Sequence, residues 1–270
     1  MKITFIGGGN MANALIGGLL KQGFSAADIT VVEPLAESRA RLSASFGVAC
    51  LAASDASILG SDVLVLSVKP QQMREALAPL AGKLKDQLIV SIAAGMRLAD
   101  ISRWLGGHAK LVRTMPNTPA LIGAGITGLY ADPSIDGEAR RQAERILGAV
   151  GKTLWIADES LMDAVTAVSA SGSAYVFYFI EALRDAARAL GFSEEQAGLL
   201  AIETVVGSAA LAVGSEEDVS VLRQRVTSKG GTTEAALNSL DADGFKAVIL
   251  RAVKAADARG RELGDLLGKS

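Results

Sequence analysis

An α/β domain with a doubly wound, mostly parallel sheet, followed by an all-helical region, is the fold class this sequence predicts. Three observations carry it. Short β-branched runs alternate with helical stretches over the first half of the chain. A glycine-rich turn, Gly7-Gly8-Gly9, ends the first of those runs, and after about Ser160 strand-like runs give way to long Ala/Leu-rich stretches. A length of 270 residues fits one large domain or two ordinary ones, and the change of texture favours two, 1–159 and 160–270.

The elements follow in order. Ile3–Ile6 is a strand by its β-branched content, and Met11–Gln22 is helical by the spacing of its Ala and Leu residues. Ile29–Val32 and Leu35–Phe46 repeat that pair, and Val63–Ser67, Leu88–Ile92 and Leu111–Thr114 supply further strands. Ile126–Tyr130 and Thr153–Ile156 bracket a charged amphipathic helix near Glu138–Ala149 and are expected to extend the same sheet. Beyond them lie helical stretches at Leu161–Leu190, Glu194–Val213 and Thr233–Leu263. The long uncharged stretch Ala164–Ile180 is about 17 residues, short of the roughly 20 that span a bilayer, and reads as a buried helix. Ala197–Ala212 is apolar on more than one face, which favours a helix-mediated oligomer interface.

Composition narrows the function classes. Half the residues are hydrophobic and 21% charged, the balance of a packed globule, while only 4% are aromatic, so aliphatic side chains must build the core. A net charge of −2 with no Lys/Arg block gives no field for nucleic acid or an anionic membrane surface. Cys50 is the single cysteine and His108 the single histidine, so neither an internal disulfide nor a Cys/His metal site is expected, and a reducing cytoplasm fits. The start, MKITFIGGGN, is broken by glycine too early for a secretory signal.

The chemistry concentrates in a few short segments. Strand, Gly7-x-Gly9-x-x-Ala12, then helix is the arrangement that binds a dinucleotide, which makes the first domain a Rossmann unit. Gly7 permits the tight turn, Gly9 lets a diphosphate reach the backbone, and Ala12 lets helix and strand approach. Helix amides and the positive end of the dipole then meet the phosphates. At the end of the second strand, Glu33 stands where an acid bonds the adenosine ribose, or else points to water, with Arg39 and Arg41 close enough in sequence to meet a phosphate. Ser67-Val68-Lys69-Pro70 and Ala93-Ala94-Gly95 end two more strands with small or turn residues, leaving room for ribose and nicotinamide. The stiff polar loop Arg113-Thr-Met-Pro-Asn-Thr-Pro119 is a candidate wall of the nicotinamide pocket. In VTSKGGTTEAAL, Val226–Leu237, a Gly-Gly pair and two threonines precede a helix. A threonine N-cap and an anion cup for a substrate carboxylate are both open readings of it.

Together these segments resemble the pyrroline-5-carboxylate reductases of proline biosynthesis, over essentially the whole chain. The resemblance rests on FIGGGNMA at the start, SVKP at Ser67–Pro70, SIAAG at Ser91–Gly95, VRTMPNTP at Val112–Pro119, DAVTAVSASGSAYVF at Asp163–Phe177, and VTSKGGTTEAAL. It implies a Rossmann domain followed by a helical domain through which subunits dimerise, often into larger rings. It implies that Gly7, Gly8, Gly9, Asn10, Met11, Val68, Lys69, Pro70, Ala93 and Ala94 contact NADPH or NADH, with Ser67 and Glu33 beside them. It also implies that Ser228, Gly230, Gly231, Thr232 and Thr233 hold the carboxylate substrate, that Thr233 hydrogen-bonds the ring nitrogen, and that Glu216 lies near the amine. The chain departs from the family pattern at Ala170 and Ser173 within Ser169–Tyr175, and at Arg225 and Ser54, where the family often has asparagine, so no contact is carried over to those last two. A related reductase acting on another imine or a hydroxy acid, or a non-catalytic NAD(P)-sensing protein, would share the same fold.

Overall fold

The computed structural model describes residues 1–269. It divides into two compact units, one of Met1–Ser171 together with the residues from Ala255 on, the other of Gly172–Lys254.

The first unit is built on one eight-stranded sheet in the order β3-β2-β1-β4-β5-β6-β7-β8. Its strands are β1 (Ile3–Ile6), β2 (Ile29–Val32), β3 (Ala49–Leu51), β4 (Val63–Leu66), β5 (Leu88–Ser91), β6 (Leu111–Met115), β7 (Gly125–Ala131) and β8 (Gly151–Trp155). Every pairing is parallel except β6 with β7. All four residues of β1, β4 and β5 are buried, as expected of central strands covered on both faces. The helices that cover them are α1 (Asn10–Lys21), α2 (Ala36–Phe46), α3 (Met73–Leu77), α4 (Leu98–Trp104) and α5 (Gly137–Leu147). One core gathers Phe5, Leu15, Ile16, Leu19, Val31 and Val65 on one side of the sheet. The other gathers Ile6, Leu64, Leu66, Met73, Leu77 and Ile101. The alternation of odd and even positions along β1 and β4 between the two cores is the period-two pattern of a strand buried on both faces.

The expected single helix over Leu161–Leu190 is interrupted. The residues after β8 form α6 (Met162–Val165), then a π-turn over Thr166–Ala170 in which Ser171 N–H donates to Thr166 O, then α7 (Gly172–Ala189). Thr166 Oγ1 bonds back to Met162 O, a local competition with the helix ladder of the kind that bends helices at Ser and Thr. The expectation that Ala164–Ile180 is buried also fails: Phe177 is 62% and Tyr178 74% exposed. The pattern that signals burial is the same whether the covering surface comes from one chain or from another.

The second unit continues with α8 (Glu194–Gly214), α9 (Val219–Arg225), α10 (Thr232–Ala242) and α11 (Phe245–Lys269). The helix expected over Thr233–Leu263 is two, broken at Gly244, whose positive φ ends α10 and starts α11. A Ser193–Gln196 capping box starts α8, which is long and apolar enough by composition to cross a membrane. Leu199, Ile202, Val206, Leu211 and Val213 along it are exposed. The region 160–270 is helical as expected, but by packing α6 and the C-terminal part of α11 go with the first unit. Arg97 and Arg103 fasten the end of α11 there, through Asp265 at 2.5 Å and Gly268 O at 2.6 Å.

Candidate active site

The strand order reverses at β1, with β2 and β3 on one side and β4 to β6 on the other. Ligands of open α/β sheets bind at the carboxyl ends of strands at such a switch point. The first unit brings Gly7–Met11, Glu33, Ser67–Pro70, Ala93 and Ala94 to that one edge, because they follow β1, β2, β4 and β5.

The turn after β1 is tightly specified. Gly7 has φ +104°, and a Cβ there would lie 2.8 Å from Ser67 O. Gly7 N–H donates to Val32 O, and Ser67 Oγ donates to Gly7 O at 2.7 Å. Gly8 is buried; its N–H donates to Glu33 Oε2 at 3.0 Å, and a Cβ there would meet Leu42 at 2.6 Å. Gly9 is the contrast, since a Cβ on it would meet nothing within 4 Å. The fold itself therefore requires glycine at 7, while a side chain at 8 would have to displace Leu42. At 9 the backbone is exposed and the space beside it is open.

Gly9 is also the N-cap of α1, which has no side-chain cap and no acidic residue in its first turn. Its exposed amides and dipole are free to meet an anion. Asn13, absent from the sequence-based site, reaches back to donate from Nδ2 to Gly8 O at 2.9 Å and Gly9 O at 2.8 Å. This ties down both carbonyls and leaves the opposite faces of those peptide planes, the N–H faces, directed away. An asparagine one turn into the helix was the available signal. The residues present thus fit a dinucleotide diphosphate on an observed feature, an uncapped helix N-terminus with open space beside Gly9.

The neighbouring strand ends are less specialised. Ser67 spends its hydroxyl on Ile6 and Gly7 carbonyls, bracing the turn, while Val68 is half-buried and Lys69 exposed. Ala93 is buried and Ala94 half-buried, small side chains at the edge beside β4. In the PNTP loop, Asn117 accepts from Ile126 N–H at 2.9 Å and donates to Ser169 Oγ at 3.2 Å, so it holds the loop to β7 and to the π-turn. Below it, Arg113 is 3% exposed, bonded to Asp163 Oδ1 at 2.8 Å and Glu159 Oε1 at 3.3 Å. This buried network locks α6 to the sheet.

In the second unit, the Ser228–Thr233 loop introduces α10. The threonine N-cap, one of the two open readings, is not formed: Gly231 takes that position with no side-chain cap, because the two glycines place the threonines already inside the helix. Gly231 N–H bonds Ser228 O, and Glu234 in the first turn accepts from Gly230 N–H at 2.7 Å. Ser228, Gly230 and Thr232 are exposed and Thr233 half-buried. Glu216 is exposed in the segment before α9, and Arg225 pairs with Glu217 at 2.6 Å. Gly9 and Gly231 have nearly the same backbone conformation, φ −72° ψ −176° and φ −87° ψ 174°.

Comparison with known proteins settles the lineage. Over 269 residues the chain is 47% identical to the pyrroline-5-carboxylate reductase of Pseudomonas aeruginosa, covering 99% of this chain and 98% of that one. The chain belongs to the pyrroline-5-carboxylate reductase family. Residues 159–263 match the family description "Pyrroline-5-carboxylate reductase dimerisation", and residues 2–95 match "NADP oxidoreductase coenzyme F420-dependent". Among solved structures, the pyrroline-5-carboxylate reductase from Coxiella burnetii superposes with a TM-score of 0.92 at 39% identity, covering 97% of this chain and 98% of that one. The Plasmodium falciparum pyrroline carboxylate reductase with NADP bound superposes at 0.86 and 28%, covering 98% of each. As a member of the reductase family the chain is an NAD(P)H-dependent oxidoreductase with a Rossmann first domain and a helical region that makes it oligomeric. The exposed apolar faces of α7 and α8 lie within the matched dimerisation region.

Proposed function

We propose that the chain reduces L-1-pyrroline-5-carboxylate to L-proline, with its glycine turn holding the nicotinamide cofactor and its Ser228–Thr233 loop holding the substrate. The observation that carries this is the pair of glycine-capped helices, α1 after Gly9 and α10 after Gly231, neither closed by a side-chain cap. Each offers first-turn amides to an anion, a diphosphate at one and a carboxylate at the other.

When bound, the reduced nicotinamide supplies a hydride, which goes to the C5 imine carbon, while the ring nitrogen keeps or gains one proton. The roles of this chain's residues follow. Gly7–Met11, with Val68–Pro70, Ala93 and Ala94, hold and orient the cofactor. Ser228, Gly230, Gly231 and Thr232 fix the carboxylate, Glu216 lies near the ring amine, and the Thr233 hydroxyl bonds the ring nitrogen. A threonine hydroxyl is a poor acid, so Thr233 orients the ring, and the imine binds protonated or takes its proton through water. Alignment of donor and acceptor carbons supplies on the order of 7–11 kcal/mol of the barrier reduction. The chain works as a homodimer or a ring of dimers in the cytoplasm, with no nucleic-acid or membrane partner. The test is cofactor oxidation on addition of pyrroline-5-carboxylate, beside a hydroxy acid with oxidised cofactor. Turnover of the hydroxy acid alone would transfer the assignment to that reductase class.

A further inference from the structure

Membership of the family leaves open which reduced cofactor this chain uses, and the edge beside the glycine turn carries an answer. Glu33 follows β2, half-buried, with its carboxylate fixed from two directions. Oε2 accepts from Gly8 N–H at 3.0 Å and Oε1 from Leu35 N–H at 2.9 Å. The side chain is therefore part of the glycine turn, and its carboxylate accepts through both oxygens. Each oxygen has one further acceptor direction left. Two such acceptors side by side suit a vicinal diol, whose two hydroxyls both donate.

A ribose 2′-phosphate is the opposite case. Near neutral pH it carries about −1.5 to −2 charges and offers acceptor oxygens to a group that itself only accepts. The nearest counter-argument is Arg39, which lies on the same edge. Its Nη1 donates to Glu33 O at 2.8 Å and to Pro34 O at 2.7 Å, so that nitrogen's hydrogens are committed to the backbone beneath the carboxylate. Arg41 is exposed, with Nη2 on Ser38 Oγ at 3.4 Å. Cys50, also near Arg39 and Glu33, has its thiol pushed up by burial and brings no charge at neutral pH. The fixed feature next to the turn is thus the anion.

We propose that Glu33 is a specificity-determining residue that makes this chain an NADH-preferring reductase, its pinned carboxylate accepting from both adenosine ribose hydroxyls and repelling a 2′-phosphate. This rests on the reading of the Gly7–Gly9 turn as the dinucleotide site. It also gives Glu33 a second effect, because the carboxylate that reads the ribose also holds the Gly8 peptide of the diphosphate cradle.

The experiment is direct titration of the purified oligomer, without substrate, with NADH and NADPH, and with the fragments ADP-ribose and 2′-phospho-ADP-ribose, read by calorimetry. Wild type should bind NADH and ADP-ribose at least about tenfold more tightly than their 2′-phosphorylated counterparts. Glu33→Gln, which removes the charge, and Glu33→Ser, which also opens space, should each narrow that ratio about tenfold or more, chiefly by improving binding of the phosphorylated ligands. A melting curve for each variant reports the structural share of the effect. NADPH binding as tight as or tighter than NADH in wild type would overturn the proposal. So would variants that weaken all four ligands by one common factor, the signature of a purely structural glutamate. Failure of every ligand to bind would overturn the dinucleotide reading as well, whereas preference for NADPH would leave that reading standing and remove only the role of Glu33.

Discussion

Asn13 Nδ2 lies 2.8 Å from the Gly9 carbonyl oxygen, so a side chain one turn inside α1 holds the peptide that introduces the helix. With the matching bond to Gly8 O, it braces the turn proposed to hold the cofactor diphosphate. Two neutral hydrogen bonds are worth about 0.5–1.5 kcal/mol each. Asn13→Ala should therefore lower the melting temperature by a few degrees, since both bonds are present without ligand, and raise the cofactor Kd by roughly threefold or more through the loosened turn. A cofactor titration beside a melting curve checks this, and a loss of stability without a loss of affinity would assign Asn13 to helix capping alone.

The glycines of the same turn separate folding from binding. Gly9→Ala places a methyl in space that the chain leaves open, so the fold should be retained and cofactor affinity should drop by tenfold or more. Gly7→Ala puts a Cβ at a positive φ and within 2.8 Å of Ser67 O, so it should lower the melting temperature and soluble yield before binding can be assessed. Identical behaviour of the two variants would contradict the division.

Arg113 and Asp163 form a buried pair, with side chains 4% and 8% exposed. Arg113→Leu leaves Asp163 buried without its cation, at a cost of roughly 3–5 kcal/mol, and Asp163→Leu leaves Arg113 with Glu159 as its acidic partner. Replacing both leaves only that more exposed glutamate, which still accepts from Leu98 N–H. Asp163→Leu and Arg113→Leu should each unfold at clearly lower denaturant than wild type, and the double variant should recover much of the loss. Additive losses in the double variant would show that the pair does not act as a unit.

Thr233→Ala should lower turnover strongly while cofactor affinity stays at the wild-type value, because Thr233 belongs to the substrate loop and not to the glycine turn. Single-turnover measurements beside cofactor titration separate the two. Unchanged turnover would remove Thr233 from the orienting role.

Acid should weaken α5 in a defined way. Asp136 caps that helix through Ala139 N–H, and this bond chiefly holds its carboxyl below the ordinary value of 3.8. A carboxyl whose pKa is lower in the folded state stabilises fully above its unfolded pKa and loses that contribution as pH falls through the folded one. Asp136→Asn keeps a capping oxygen without the titration, so its melting temperature should vary less than that of wild type as pH falls below about 4. Parallel melting curves at several pH values test it, and identical slopes would contradict the assignment.

Most of the sheet was legible because its strands are buried on both faces, and such runs stand out as β-branched blocks at Ile3–Ile6, Ile29–Val32 and Val63–Leu66. β3 was not, being three residues at the edge held by non-local pairing with β2. α9 was missed for a similar reason, as seven residues with no buried face to impose a period. The glycine turn was legible because φ and close approach restrict residue type. Its braces were not: Asn13 acts through local geometry that the motif does not specify, and Arg113 meets acids 46 and 50 residues away. A cation inside the strand Leu111–Met115 was the visible clue to that network, and nothing local identified its partners. The Ser228–Thr233 loop could be read as a cap or an anion cup because both use the same residues, and the position of Gly231 as the N-cap removes only the threonine-cap reading.

The central claim is tested most directly by following absorbance of the reduced nicotinamide on addition of L-1-pyrroline-5-carboxylate to the purified oligomer, with proline quantified in the same sample. The account predicts cofactor oxidation that requires the substrate and yields one proline per cofactor consumed. Cofactor that binds and is not oxidised when pyrroline-5-carboxylate is supplied would contradict it.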